Sequence, residues 1–182
     1  MKILGLAASP RKNGNTDLLL SALLAGAKAK GAETKKVYLA DLELAGCDAC
    51  SACRRTGLCH RDDDLARLQA ELLDADVWVL ATPVYWWGPS LPAKALIDRW
   101  YNLCFGPNPK KIKGKKFALV SAFGDTPADA TPFLKGMLKK SVAYLGLKWS
   151  GEVLTQALKK GEVKKNPAAL KKAERLGAKL AG

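Results

Sequence analysis

The chain has 182 residues, 48% of them apolar, with 30 Lys and Arg against 17 Asp and Glu for a net charge of +13. That length suits one domain over residues 1–182 with a sizeable core, and that apolar content excludes gross disorder. No apolar run approaches the roughly 20 residues that cross a bilayer, and Met1-Lys2 leads into strand-like residues with no signal-peptide pattern, so the expectation is a soluble, cytoplasmic protein that binds no membrane.

An apolar run over 3–8 reads as a buried first strand, placed at 2–7. It passes through Ser9-Pro10-Arg11-Lys12-Asn13-Gly14-Asn15-Thr16 into a helix over about 16–30, which Gly31 is placed to end. Residues 33–39 read as a second strand, and a cysteine-rich loop follows over 41–61. Asp62-Asp63-Asp64 then opens a helix to about 74, where the dipole favours carboxylates. Val77-Trp78-Val79-Leu80-Ala81 lacks alternation, as a strand covered on both faces does. A turn over 82–89, a helix over 91–103, a polar connector over 110–116 and a strand over 117–122 follow. A helix over 131–145, a strand over 148–154 and a last helix opened by Asn166-Pro167 complete the chain. Strands alternating with helices at this spacing predict an α/β fold, a doubly wound parallel sheet with helices on both faces. Ligands of such sheets sit beyond the carboxyl ends of the strands.

The loop after the first strand is built for an anion. Free N–H groups and the positive end of the helix dipole converge on it. Ser9, Asn13, Asn15 and Thr16 add side-chain donors, and Arg11 adds a forked cation. The loop is not a Walker A motif, because no Gly-Lys-Ser/Thr closes it, and the G-x-G-x-x-G glycines of dinucleotide folds are absent. A phosphate monoester remains. Pro83-Val84-Tyr85-Trp86-Trp87-Gly88 carries three consecutive aromatics that cannot all enter one core, so flat rings here could flank a flat ligand. A phosphate on one loop and a flat ring on another describe flavin mononucleotide (FMN). The competing reading makes Trp86 and Trp87 packing or subunit-contact residues.

These pieces, together with Gly46-Cys47 and Gly57-Leu58-Cys59, resemble the flavodoxin-like NAD(P)H-dependent FMN reductases over residues 1 to about 105. The resemblance implies a five-stranded sheet of order 2-1-3-4-5, FMN at the carboxyl ends of the strands, and dimers or tetramers. It implies that Ser9, Arg11, Asn13, Asn15 and Thr16 hold the phosphate and that Pro83, Val84, Tyr85, Trp86, Trp87 and Gly88 border the ring, with Phe123 and Gly124 on the third loop. That third loop departs from the pattern: Ser121-Ala122-Phe123-Gly124 stands where family members often carry glycines.

Cys47, Cys50, Cys53 and Cys59 give C-x2-C-x2-C-x5-C, with Cys104 apart. Two-residue gaps recur in 4Fe–4S sites, and the spacing looks like that of iron–sulfur flavoproteins, in which four such cysteines hold a cluster beside FMN. Free structural or redox thiols are the equal alternative, and zinc with His60 or a disulfide the lesser ones. The leading expectation is an oxidoreductase with FMN as cofactor and NAD(P)H as donor, needing no catalytic side chain. A ferredoxin-fed iron–sulfur flavoprotein and a non-catalytic electron carrier are its rivals. The Lys-rich segments of 110–116 and 159–179 lack interleaved aromatics, which argues for a solvated surface and against nucleic-acid binding.

Overall fold

A computed structural model describes residues 1–182. The elements in order are β1 (Lys2–Ala7), α1 (Asn15–Lys28), β2 (Glu33–Tyr38), α2 (Cys53–Thr56), α3 (Asp64–Asp74), β3 (Val77–Pro83) and α4 (Leu91–Arg99). They continue with α5 (Asn108–Ile112), β4 (Lys116–Phe123), α6 (Pro127–Ala130), α7 (Pro132–Tyr144), β5 (Lys148–Gln156) and α8 (Pro167–Ala181), with 3-10 turns at Leu39–Asp41, Trp100–Cys104 and Glu162–Lys165. The five strands pair in parallel in the order β2-β1-β3-β4-β5, as expected.

The interiors of the three central strands, β1, β3 and β4, are almost wholly apolar and buried, yet the pleat still divides their side chains between two cores. Ile3, Val77, Val79, Ala118 and Val120 face α1 and α8, meeting Leu19, Leu20, Leu23 and Ala173. Leu4, Leu6, Trp78, Leu80, Phe117 and Leu119 face the opposite layer, meeting Leu65, Leu68, Leu96, Leu134 and Leu138. Burial on both faces is why these strands read as continuous hydrophobic runs.

Two helix starts follow the local chemistry expected of them. Asp63 accepts the Ala66 N–H at the head of α3, and Asn166 accepts the Ala169 N–H with Pro167 as the first helical residue of α8. Other segments differ from expectation. Residues 108–112 are helical, with Ile112 and Asn108 buried, and overlap the polar connector expected over 110–116. The helix expected to reach 103 ends at Arg99 and tightens into a 3-10 turn. The cysteine loop contains the single-turn helix α2, which the glycine Gly57 closes at φ +76°.

Candidate functional site

The loop between β1 and α1 is shaped by its own hydrogen bonds. Arg11 N–H donates to Ser9 Oγ (3.1 Å) and Gly14 N–H to the Arg11 carbonyl (2.9 Å). Asn13 adopts a left-handed backbone, φ +59°, which asparagine tolerates, and its N–H donates to Asp17 Oδ2 (2.7 Å). A Cβ at Gly14 would lie 2.7 Å from the Arg11 carbonyl oxygen, so only glycine lets the chain turn this tightly. With glycine at the N-cap, no side chain caps α1, and the first-turn N–H groups stay available to a ligand.

Asp17 is buried beneath the loop and carries it. It accepts Lys36 Nζ (2.8 Å) and the Tyr38 hydroxyl (3.1 Å) besides Asn13. Burial pulls its carboxyl upward, but Lys36, the Asn13 N–H and Tyr38 outweigh burial and hold it below the usual carboxylate range. The strand ends are bolted together in the same way: Ser90 Oγ donates to the Ala8 carbonyl (2.6 Å), Ser90 N–H to Thr82 Oγ1 (3.0 Å), and Ser121 Oγ to the Thr82 carbonyl (2.7 Å).

One cleft opens over these ends. Ser9, Arg11, Gly14, Asn15 and Thr16 form its floor, Pro83, Val84 and Tyr85 one wall, and Ala122, Phe123 and Gly124 the other. Ala157, Leu158 and Lys160 come from the loop after β5. Nine of the residues singled out in the sequence therefore meet here. Trp86 and Trp87 line an adjoining depression with Val84, Phe123, Gly124 and Asp125. Asn13 and Gly88 line neither; they set the shape of their loops.

Gly88 and Tyr85 exchange two backbone hydrogen bonds (3.0 Å each) around Trp86 and Trp87. Both tryptophans are left-handed, at φ +49° and +59°, positions that such turns normally give to Asn and Gly. Holding two bulky residues there costs on the order of 1–3 kcal/mol each, a kind of strain that concentrates at ligand sites. Trp86 is 89% exposed and packs edge-on against Trp87 at 5.8 Å.

One expectation for a single residue changes. The Asn15 amide is already engaged: its Nδ2 donates to the carbonyls of Ala157 (3.1 Å) and Lys159 (2.9 Å), and its Oδ1 accepts the Val163 N–H (3.1 Å). Asn15 lines the cleft, but its amide is committed to the loop after β5. Asp41, in the 3-10 turn after β2, is paired with Lys12 at 2.7 Å. Gly14, Asp17, Ala122, Ala157, Leu158 and Lys160 were not singled out. Asp17 carried a signal, an acid in the first helical turn; the loop after β5 carried none.

The cysteine loop is held at both ends and in its middle. Arg99 Nη1 donates to the Ala45 carbonyl (3.3 Å) on one side and to Asp63 on the other. The Gly57 carbonyl accepts Gln69 Nε2 (2.9 Å) and Asn108 Nδ2 (2.8 Å) in a buried amide network. Asp48 accepts His60 Nε2 (2.8 Å), Arg61 Nη2 (2.9 Å) and the Cys50 N–H (3.3 Å), and these partners, His60 first, pull its carboxyl well below the usual range. Ala49 and Ser51 are left-handed, at φ +58° and +61°, so the backbone curls between the cysteines. Cys47 and Cys50 are exposed, Cys53 and Cys59 half-buried. Burial pushes the Cys53 thiol up, and its neighbours Cys59, Cys50 and Cys47 add to that whenever they ionise. Ligand atoms of Asp48, Cys50 and His60 also lie within 4.8 Å of one another, the donor set that a zinc reading would use.

Residues 1–133 match the family model described as NADPH-dependent FMN reductase. The chain is 40% identical over 124 residues to an iron-sulfur flavoprotein of Methanosarcina thermophila, covering 68% of this chain and 60% of that protein. It is 31% identical over 181 residues to an iron-sulfur flavoprotein of Archaeoglobus fulgidus, covering 100% of this chain and 79% of the other. Its fold is similar to that of an NAD(P)H:quinone oxidoreductase from Methanothermobacter marburgensis, with a TM-score of 0.78, 18% identity and coverage of 99% of this chain and 98% of that one.

Proposed function

The chain belongs to the NADPH-dependent FMN reductase family, and on that premise we propose that it is an FMN-dependent oxidoreductase that takes electrons from NAD(P)H. One observation carries the reading. The cleft over the strand ends has two cations in its lining, Arg11 and Lys160, no carboxylate, and an uncapped helix start beneath them. A phosphate monoester with about two negative charges at neutral pH is the complement of that arrangement. The donor set fits the rest of FMN as well: Val84, Tyr85 and Phe123 offer apolar walls for a flat ring, with Trp86 and Trp87 beside them.

When bound, FMN supplies the hydride and single-electron chemistry of the reaction. The chain's own residues bind and orient. Ser9, Arg11, Thr16 and the first-turn N–H groups hold the phosphate, Asn13 sets the backbone of that loop, and the strained turn closed by Tyr85 and Gly88 keeps two tryptophans at the mouth. Arg11→Ala is expected to weaken FMN binding about tenfold or more, the size of a lost charge-assisted contact, with circular dichroism and Tm unchanged. An unaltered FMN affinity would mean that the loop has been misread. Anaerobic mixing of the flavin-loaded protein with NADPH or NADH is expected to bleach the flavin on a turnover timescale. A flavin that stays oxidised would leave an electron carrier without turnover.

A second reading adds a 4Fe–4S centre on Cys47, Cys50, Cys53 and Cys59, with a ferredoxin-like donor. The gathering of the four cysteines in one loop that Arg99 ties at both ends favours it, as do the left-handed backbones of Ala49 and Ser51, a conformation that turns successive N–H groups toward an anionic centre. The two relatives named iron-sulfur flavoproteins support it too. Protein purified without oxygen is expected to contain iron and sulfide and to show a broad visible band that Cys53→Ser removes while the flavin bands stay. Neither iron nor sulfide in the wild type would leave four thiols.

A further inference from the structure

We propose that Lys160 is the second cation of the phosphate site and that Asn15 is the residue that positions it there, an assignment that rests on the FMN reading above. Lys160 lies outside the residues that the family model matches, in a segment whose lysines read as solvated surface. Two features separate it from its neighbours. It lines the cleft with Arg11, whereas Lys159, Lys164 and Lys165 do not. The backbone that carries it is also fixed rather than trailing.

That fixing is local and dense. Ala157 N–H donates to the Phe123 carbonyl (2.8 Å). The Glu162 carboxylate accepts the N–H groups of Leu158 (2.7 Å) and Lys159 (2.8 Å), which hold it below the usual carboxylate range. Leu158 lies over Gly124, its Cδ1 2.8 Å from where a Cβ would sit, so a larger residue at 124 would displace that side chain. Asn15 closes the arrangement with three hydrogen bonds to Ala157, Lys159 and Val163. The residue that opens α1 thus ties the loop after β5 to the phosphate cradle. A lysine amine keeps a free, rotatable stem while its Cα is held at the rim, which suits a point-charge contact to a phosphate.

The experiment compares FMN with riboflavin, which lacks the phosphate, by flavin-fluorescence titration of the apoprotein. Lys160→Gln is expected to raise the FMN Kd about tenfold and leave riboflavin within about twofold of wild type. Lys160→Arg is expected to restore most of the loss, and Lys159→Gln to cause none. Asn15→Ala is expected to lower FMN affinity in the wild-type background and to add little in the Lys160→Gln background, since both remove one interaction. Equal FMN affinity in Lys160→Gln and wild type, or an equal loss for riboflavin, overturns the assignment of Lys160. Additive effects of the two substitutions overturn the positioning role of Asn15. A wild type that does not prefer FMN over riboflavin overturns the phosphate reading itself.

Discussion

Arg99→Met is expected to lower stability by about 3–5 kcal/mol, the range for breaking a buried ion pair by removing one partner. The Arg99 side chain is 3% exposed and Asp63, its partner, 13%. Methionine keeps much of the volume but leaves the Asp63 carboxylate without its cation. Burial alone pushes that carboxyl up, and Arg99 reverses the sign, so the native group titrates below the usual range. Because the folded value is depressed, its stabilisation is present above the unfolded value of about 3.9 and is lost as pH falls through the folded value. In Arg99→Met burial loses its main counterweight, the folded value is expected to rise, and protonation then relieves the destabilisation. The deficit of the variant against wild type is therefore expected to shrink between pH 7 and pH 4. Adding Asp63→Asn is expected to recover most of the loss at pH 7, since asparagine still caps α3; no recovery would assign the effect to packing. The cysteine loop reports separately. Arg99 holds Ala45 on one side of it and Asp63 on the other, so proteolysis within residues 45–63 is expected to accelerate in the variant.

The contrast between Asp63 and Arg99 shows what the sequence makes legible. Asp63 announces itself, because an acid three residues before a helical N–H is a local arrangement with local chemistry. The apolar strands and the Asn166-Pro167 start are of the same kind, and so is the loop from Ser9 to Thr16. Arg99 sits in a run that reads only as amphipathic helix; its role depends on Ala45 and Asp63, brought to it by the packing of α4 against the loop. Lys160 is hidden in the same way among lysines that look alike until the chain folds back over α1. At Asn15 the residue type suggested a phosphate donor, and a distant loop claimed the amide first. The left-handed tryptophans could not be foreseen, since nothing in a Trp-Trp pair favours that conformation. Helix α5 was masked by charge: Lys110 and Lys111 dominate a segment whose anchors are Asn108 and Ile112.

Gly177→Ala is expected to destabilise the fold by about 3 kcal/mol, at the upper end of overpacking costs, although alanine favours helices over glycine by about 1 kcal/mol. The sign is decided by how closely α1 and α8 approach. A Cβ on Gly177 would lie 1.8 Å from the Leu23 carbonyl oxygen, and one on Gly26 would lie 2.1 Å from that of Glu174. Both obstacles are backbone atoms, so no rotamer change relieves them and the helix axes must part. The separation strips contacts from Leu19, Leu20, Leu23 and Ala173, which fill the core beneath. It also acts on the site, because α1 carries the anion cradle at its start and Asn15 links that start to the loop before α8. FMN affinity is therefore expected to fall with stability, although residue 177 lies at the far end of the chain from the cradle. The doubly substituted Gly26→Ala, Gly177→Ala protein discriminates between causes. If axis separation is the cost, one displacement relieves both clashes, and the combined loss by chemical denaturation is expected to be less than the sum of the two single losses. Strict additivity would mean that each glycine serves its own helix through backbone conformation, and that close approach of the two helices is not what requires them.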